Sequence, residues 1–138
     1  SKTHRAHFWI GNGNCEKLKE YFAEIWNEED PDRDYTPLSY FAQDQGTKWY
    51  DHDWLEKIIC EDAKPIAQLV EQMSYSTHYL GKLIETAKLF DLKSANIVVM
   101  FDLGAGDCFP NARSVSNDYV DLRYLGMLAY SVDVRENA

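Results

Sequence analysis

Eight residues concentrate the reactive groups of this chain: Trp49-Tyr50-Asp51-His52-Asp53-Trp54-Leu55-Glu56. Three aromatics and three carboxylates stand together there, just after the turn-forming Gln45-Gly46. Clustered carboxylates bind cations, move protons or meet a basic partner, and aromatic rings offer large rigid contact area. Asp51, His52 and Asp53 are competent metal ligands, yet consecutive residues point in different directions on any regular element. Remote donors such as His78 or Asp107 would have to complete a coordination shell, and neither H-E-x-x-H nor EF-hand spacing is present. A small metal-dependent hydrolase built on Asp51 and Asp53 is therefore the enzymatic alternative.

The other reactive residues point away from catalysis. Cysteines at 15, 60 and 108 are odd in number and lack C-x-x-C spacing. That argues against a disulfide framework or a zinc ribbon, and for free thiols in a reducing cytoplasm. His4, His7, His52 and His78 read as terminal, strand, surface or packing positions, and no local signature makes a cysteine–histidine nucleophile of them. Val98 to Gly106 resembles a strand entering a glycine turn. A phosphate cradle would need a helix to open there, and Cys108-Phe109-Pro110 follows instead. The sequence thus offers no catalytic residue, no metal set and no cofactor motif.

Charge narrows the remaining choice. The net charge is −9, and the segment from Glu16 to Asp62 holds 14 acids against 5 bases. The rest of the chain has nine of each, so the entire excess lies in one segment that includes the aromatic motif. Direct nucleic-acid binding needs Lys and Arg for phosphates, and in this segment the 5 bases are outnumbered by 14 acids. A basic protein partner or a cation fits better. The candidate partner-binding residues are Asp30, Asp32, Asp34, Asp44, Trp49, Tyr50, Asp51, Asp53 and Glu56. The residues alone leave two readings open: an acidic surface with aromatic anchors, or core aromatics beside helix caps and solvated loops.

The elements that must position these groups are legible from periodicity. Ala6–Ile10 is a short apolar strand ending at Gly11-Asn12-Gly13. Asn14 is an N-cap, and Leu18, Tyr21, Phe22, Ile25 and Trp26 mark an amphipathic helix over 15–27. An acidic loop follows at 28–34, then one or two helical turns over 38–44. Trp54, Leu55, Ile58 and Ile59 suggest a short helical face capped by Asp51 or Asp53. Pro65 opens a helix with Ile66, Leu69, Val70 and Met73 inward, and another helix spans 77–91. Ala95–Phe101 is a nearly all-apolar strand covered on both faces, and 103–117 is a loop. From Val120 to Val134 the even positions are apolar, which predicts a half-exposed strand or hairpin bent at Gly126. The expected architecture is an α+β single domain over 1–138, a small mixed β-sheet with several helices packed on one face. No run reaches the ~18 apolar residues of a membrane span, and the first seven residues lack the apolar core of a signal peptide.

The pieces His7-Phe8-Trp9-Ile10-Gly11, Ser39-Tyr40-Phe41-Ala42-Gln43-Asp44-Gln45-Gly46, Trp49 to Glu56, Ser74-Tyr75-Ser76 and Ala95-Asn96-Ile97-Val98-Val99 occur in that order. In that arrangement the chain from about His7 to Asp102 resembles the immunity protein 22 family of bacterial polymorphic toxin systems. It departs from that pattern in the acidic loop near Pro31 and in the Gly104–Asn117 loop. The resemblance implies a non-enzymatic, cytoplasmic protein that binds and neutralises the C-terminal toxin domain of a polymorphic or contact-dependent growth inhibition effector. It implies a basic nuclease as the toxin, because a nuclease cleft must hold phosphates and an acidic inhibitor can occupy it. A cytoplasmic adaptor unrelated to toxins is the second alternative. The oligomeric state is open.

Overall fold

Phe8, Trp9 and Ile10 have no exposed surface, because the strand they form lies in the middle of the sheet. The structure is a computed structural model and describes residues 2–133. Strand β1 (Lys2–Asn12) is longer than the apolar run alone predicts. It pairs antiparallel with β3 (Ser94–Asp102) on one side and β5 (Asp121–Val132) on the other. Strand β2 (Leu55–Pro65) adds to β3, and the two-residue β4 (Val115–Ser116) adds to β5. The order is β2-β3-β1-β5-β4, antiparallel throughout.

The α+β class is borne out, and both faces of the sheet are buried. On one face Phe8, Ile10, Val98 and Met100 meet Leu69 of α3 (Ile66–Val70) and Leu83 of α4 (Leu80–Lys88). On the other face Trp9, Ile97, Val99 and Phe101 meet Leu18 and Tyr21 of α1 (Cys15–Phe22) and Phe41 of α2 (Tyr40–Asp44). Alternate residues of β1 and β3 thus serve opposite cores, which is why both strands read as continuous apolar runs.

Two expectations give way to tertiary constraints. Leu55, Ile58 and Ile59 lie on β2, not on a helix. Asp51 does cap, but what it caps is a single 3-10 turn at His52–Trp54. β-branched Ile58 and Ile59 pair with Val98 and Ile97, and a strand packs one side chain against each core where a short helix would present one stripe. Helix α1 stops at Phe22, because Ala23 is extended and the Ile25 amide donates to the Leu38 carbonyl at 2.9 Å. Ile25 and Trp26 follow helical spacing in sequence but lie outside the helix.

The bend at Gly126 has a specific consequence. Phe8 pairs with Gly126 and Trp9 with Tyr124, so Leu125 is an extra residue and Gly126 takes φ +103°. Before the bulge Leu122 and Tyr124 face the α1–α2 core; after it Leu128, Tyr130 and Val132 face the α3–α4 core. The even-numbered apolar positions of β5 therefore serve two faces. Val134, the last of that series, lies outside the described residues.

A second bulge shapes β2. Ile59 pairs with Ile97 and Lys64 with Ala95, leaving 60–63 out of register. The buried Asn96 holds it: its amide donates to the carbonyls of Cys60 (3.0 Å) and Gly13 (2.6 Å), and its carbonyl accepts from the Gly13 amide (2.9 Å). One side chain thereby ties the β2 bulge to the turn between β1 and α1. Among the described residues no helix is long and apolar enough to cross a membrane.

Candidate functional site

The acidic loop between α1 and α2 is built by its own side chains. Asp30 accepts from the amides of Asp34, Tyr35 and Thr36 and from the Thr36 hydroxyl at 2.6 Å. Those bonds, the hydroxyl's first, hold the Asp30 carboxyl below the usual aspartate range. Arg33, at φ 57°, donates to Glu24 at 2.9 Å and lies over the Trp26 ring at 4.9 Å. The Leu38 amide donates to the Lys48 carbonyl at 2.8 Å, and the Lys48 ammonium sits 5.9 Å from the Tyr35 ring centre. Loop 23–38 and the segment 48–52 are thus tied into one surface.

The aromatic motif divides along that surface. Trp49 is 57% exposed and Trp54 45%, whereas Tyr50 is 2% exposed. Tyr50 packs against Phe41, Phe101 and Phe109 and shares a hydrogen bond with Ser39. Burial raises its pKa above the usual tyrosine value. Tyr50 is therefore a core residue, and only its neighbours present rings to solvent. Outside the motif Trp26 is 78% exposed and Tyr35 90%. Among the described residues, five of the eight exposed large apolar side chains (Trp26, Tyr35, Tyr40, Trp49 and Trp54) lie within Glu16–Asp62.

The acids divide as well. Asp32, Asp34 and Asp53 are exposed, while Asp30 organises the loop and Asp51 accepts from the Asp53 amide at 3.0 Å. Asp44 accepts from the Tyr21 hydroxyl and from Asn117, near β4. Glu56 accepts from the Ser74 amide on the α3–α4 side of the sheet. The structure thus joins residues 30–34 to 49–53 and holds Asp44 and Glu56 elsewhere.

Two depressions mark the joined surface. One of about 200 Å³ is lined by Phe22, Glu24, Leu38, Tyr50, His52 and Lys57. Burial lowers the Lys57 pKa, and its ammonium lies 5.7 Å from the Phe22 ring centre. The other, about 180 Å³, lies between Trp26 and Arg33. Trp26, Tyr35, Glu24 and Lys57 are not candidates from sequence, and His52 is one only as a metal ligand. Trp26 fits the helical stripe too well to be read as exposed, and the others carry no spacing signal.

Metal chemistry finds little support at the motif. Among the described residues the one group of three candidate ligands is Cys15, Glu16 and Glu61, and neither Asp51 nor Asp53 belongs to it. Cys15, Cys60 and Cys108 are free thiols.

A polar chain with the look of a catalytic relay crosses the α1–α2 core. His7 Nε2 is 3.0 Å from Asp107, and Nδ1 is 2.7 Å from the Tyr124 hydroxyl. The carboxylate can only accept, so Nε2 is the donor of that bond, and a ring protonated at Nε2 alone accepts from the Tyr124 hydroxyl at Nδ1. His7 itself is buried against Trp9 and Phe109. The arrangement anchors the segment between β3 and β4, which also exchanges two hydrogen bonds between Gln45 and Arg113. Sequence suggested Asp107 as a remote partner for the motif; its partner is His7.

A family model described as immunity protein 22 matches residues 6–131. No curated protein and no solved structure matches the chain.

Proposed function

The chain belongs to the immunity protein 22 family, and from that premise we propose that it neutralises a basic nuclease toxin by covering it with the acidic, aromatic surface of residues 24–54. Family membership itself carries an immunity-type role and a cognate toxin protein as partner. The toxin's identity as a nuclease, the cytoplasm as the site of action and the choice of surface are the proposal. On this reading the protein is a binder without catalytic residues of its own, and the toxin is the C-terminal domain of a polymorphic or contact-dependent growth inhibition effector.

One observation carries the choice of surface. Among the described residues, most exposed large apolar side chains fall inside the single segment that holds the chain's whole charge excess. Exposed tryptophan and tyrosine rings are the commonest hot-spot anchors, and a surrounding field of one sign steers an oppositely charged partner into register. Trp26 and Trp49 act as anchors, Asp32, Asp34 and Asp53 supply charge, and Tyr50 supports them from beneath. The test is co-expression with the toxin domain encoded beside the gene. A stable complex at low salt, weakened by Trp26→Ala or Trp49→Ala with the fold intact, is the expected result. Absence of any complex at low salt would sink the proposal.

A further inference from the structure

We infer that the toxin docks on this protein by strand addition: an extended segment of the toxin pairs with the free edge of β2 at Leu55–Ile59 and sets a side chain into the adjoining depression. The inference rests on the toxin-binding reading and names how that surface engages its partner.

Strand β2 ends the sheet, and its inner edge is paired with β3 from Leu55↔Phe101 to Ile59↔Ile97. The Leu55 amide donates back to the His52 carbonyl, and among the described residues the outer edge past it pairs with no strand. An edge of this kind is a ready template for another strand unless something blunts it. The bulge at 60–63 and Pro65 follow the five-residue ladder and the 3-10 turn at His52–Trp54 precedes it, while the one lysine within it, Lys57, holds its ammonium over the Phe22 ring on a face of the sheet. The ladder itself is about 17 Å of open main chain, at ~3.4 Å per residue.

The surroundings fit an incoming strand. The depression lined by Phe22, Glu24, Leu38, Tyr50, His52 and Lys57 borders this edge, since Lys57 belongs to both. Its floor of Phe22, Leu38 and Tyr50 is apolar and suits one aliphatic or aromatic side chain. Peptide capture by strand addition combines these two elements, main-chain bonds for affinity and a pocket at alternate positions for selection. Trp54 stands at the entrance to the ladder with its ring half exposed.

Charge selects the occupant. A second copy of this chain would bring two surfaces together that each carry an excess of nine acids between Glu16 and Asp62. Like charges across a strand pair are destabilising, whereas a basic domain is attracted to the same edge.

Hydrogen–deuterium exchange on the protein alone and in complex with the toxin domain encoded beside the gene tests this. The expected result is slowed exchange at 55–59 in the complex. A complex that leaves 55–59 unchanged overturns the inference while the toxin-binding reading stands; no complex at low salt overturns both. Slowed exchange at 55–59 in the protein alone as its concentration rises would show self-pairing and also overturns it. Proline substitution gives an independent check, because the amides of Lys57 and Ile58 point to opposite edges. Of Lys57→Pro and Ile58→Pro, the variant that keeps the wild-type melting profile must bind at least tenfold more weakly. Wild-type affinity in that variant overturns the inference, and exchange alone decides if both variants unfold.

Discussion

Trp49 and Tyr50 are neighbours in sequence with opposite assignments, so alanine at each separates the interface from the core. Trp49 is 57% exposed. A tryptophan buries up to ~250 Å² when covered, so roughly 140 Å² of Trp49 is available to a partner. At ~25 cal/mol per Å² this area is worth at most about 3.5 kcal/mol. Ordering the side chain takes back part, leaving an expected loss of about 2–3 kcal/mol, or roughly 30- to 150-fold in Kd. The effect of Trp49→Ala on stability should stay within about 1 kcal/mol. Tyr50 is 2% exposed and rings with Phe41, Phe101 and Phe109 surround it. Tyr50→Ala should cost about 3–5 kcal/mol of stability, lowering Tm by roughly 10–15 °C at ~3 °C per kcal/mol. Tyr50→Phe keeps the ring, loses only the bond shared with Ser39 and should stay within ~1 kcal/mol. Thermal melts and titration calorimetry against the toxin domain at low salt read both quantities. A Trp49→Ala protein that melts early yet binds normally would refute the division of the motif, as would a Tyr50→Ala protein with an unchanged Tm.

Further outcomes are checked on the same material. Raising salt should slow association with the toxin far more than it speeds dissociation, because the segment's charge acts at a distance; a salt-independent on-rate in stopped flow would leave the acids structural. Asn96→Ala removes three part-buried hydrogen bonds and should cost about 3 kcal/mol in urea denaturation, and a loss below ~1 kcal/mol would mean the bulge holds without it. Asp30 and Asp107 titrate below their unfolded value of ~3.9, held down chiefly by Thr36 and His7 respectively. The folded chain therefore binds their protons less readily than the unfolded one, and their stabilisation is present above pH ~4 and lost as pH falls through the depressed values. Urea midpoints should fall below pH ~4, and Asp30→Asn or Asp107→Asn should flatten that fall; an unflattened profile in both would refute the assignment. Gly126→Ala meets no neighbouring atom but must hold φ +103°, so it should cost about 1–2 kcal/mol from backbone strain alone.

Local signals in the sequence suffice where one interaction range dominates. β1, β3 and the start of α1 follow from apolar runs and from Asn14, whose side chain accepts from the Lys17 amide as a cap should. Sequence and structure part where distant residues decide. Ile58 and Ile59 belong to a strand because β3 offers Val98 and Ile97 as partners, and nothing nearby in sequence encodes that choice. The two-faced β5 depends on one extra residue opposite Phe8 and Trp9, so a clean period-two pattern gave the right element and hid its change of face. At the candidate site the segment was legible from charge, but the split between Trp49 and Tyr50 was not. A ring's exposure depends on what packs over it, and Phe41, Phe101 and Phe109 come from three separate parts of the chain.

The position of β1 also bears on time. The strand translated before every other described element is the central one, and it pairs with β5, whose residues emerge more than 100 positions later. Pairings that span so much chain are slow to close, since the loop entropy is lost before the contacts form. A nascent chain can pair β1 with β3 but lacks the β1–β5 ladder until synthesis of β5 is done. Protection of a cell would track its stock of finished molecules and lag behind transcription. Brief pauses in translation between β3 and β5 would lengthen that lag without altering a single native contact.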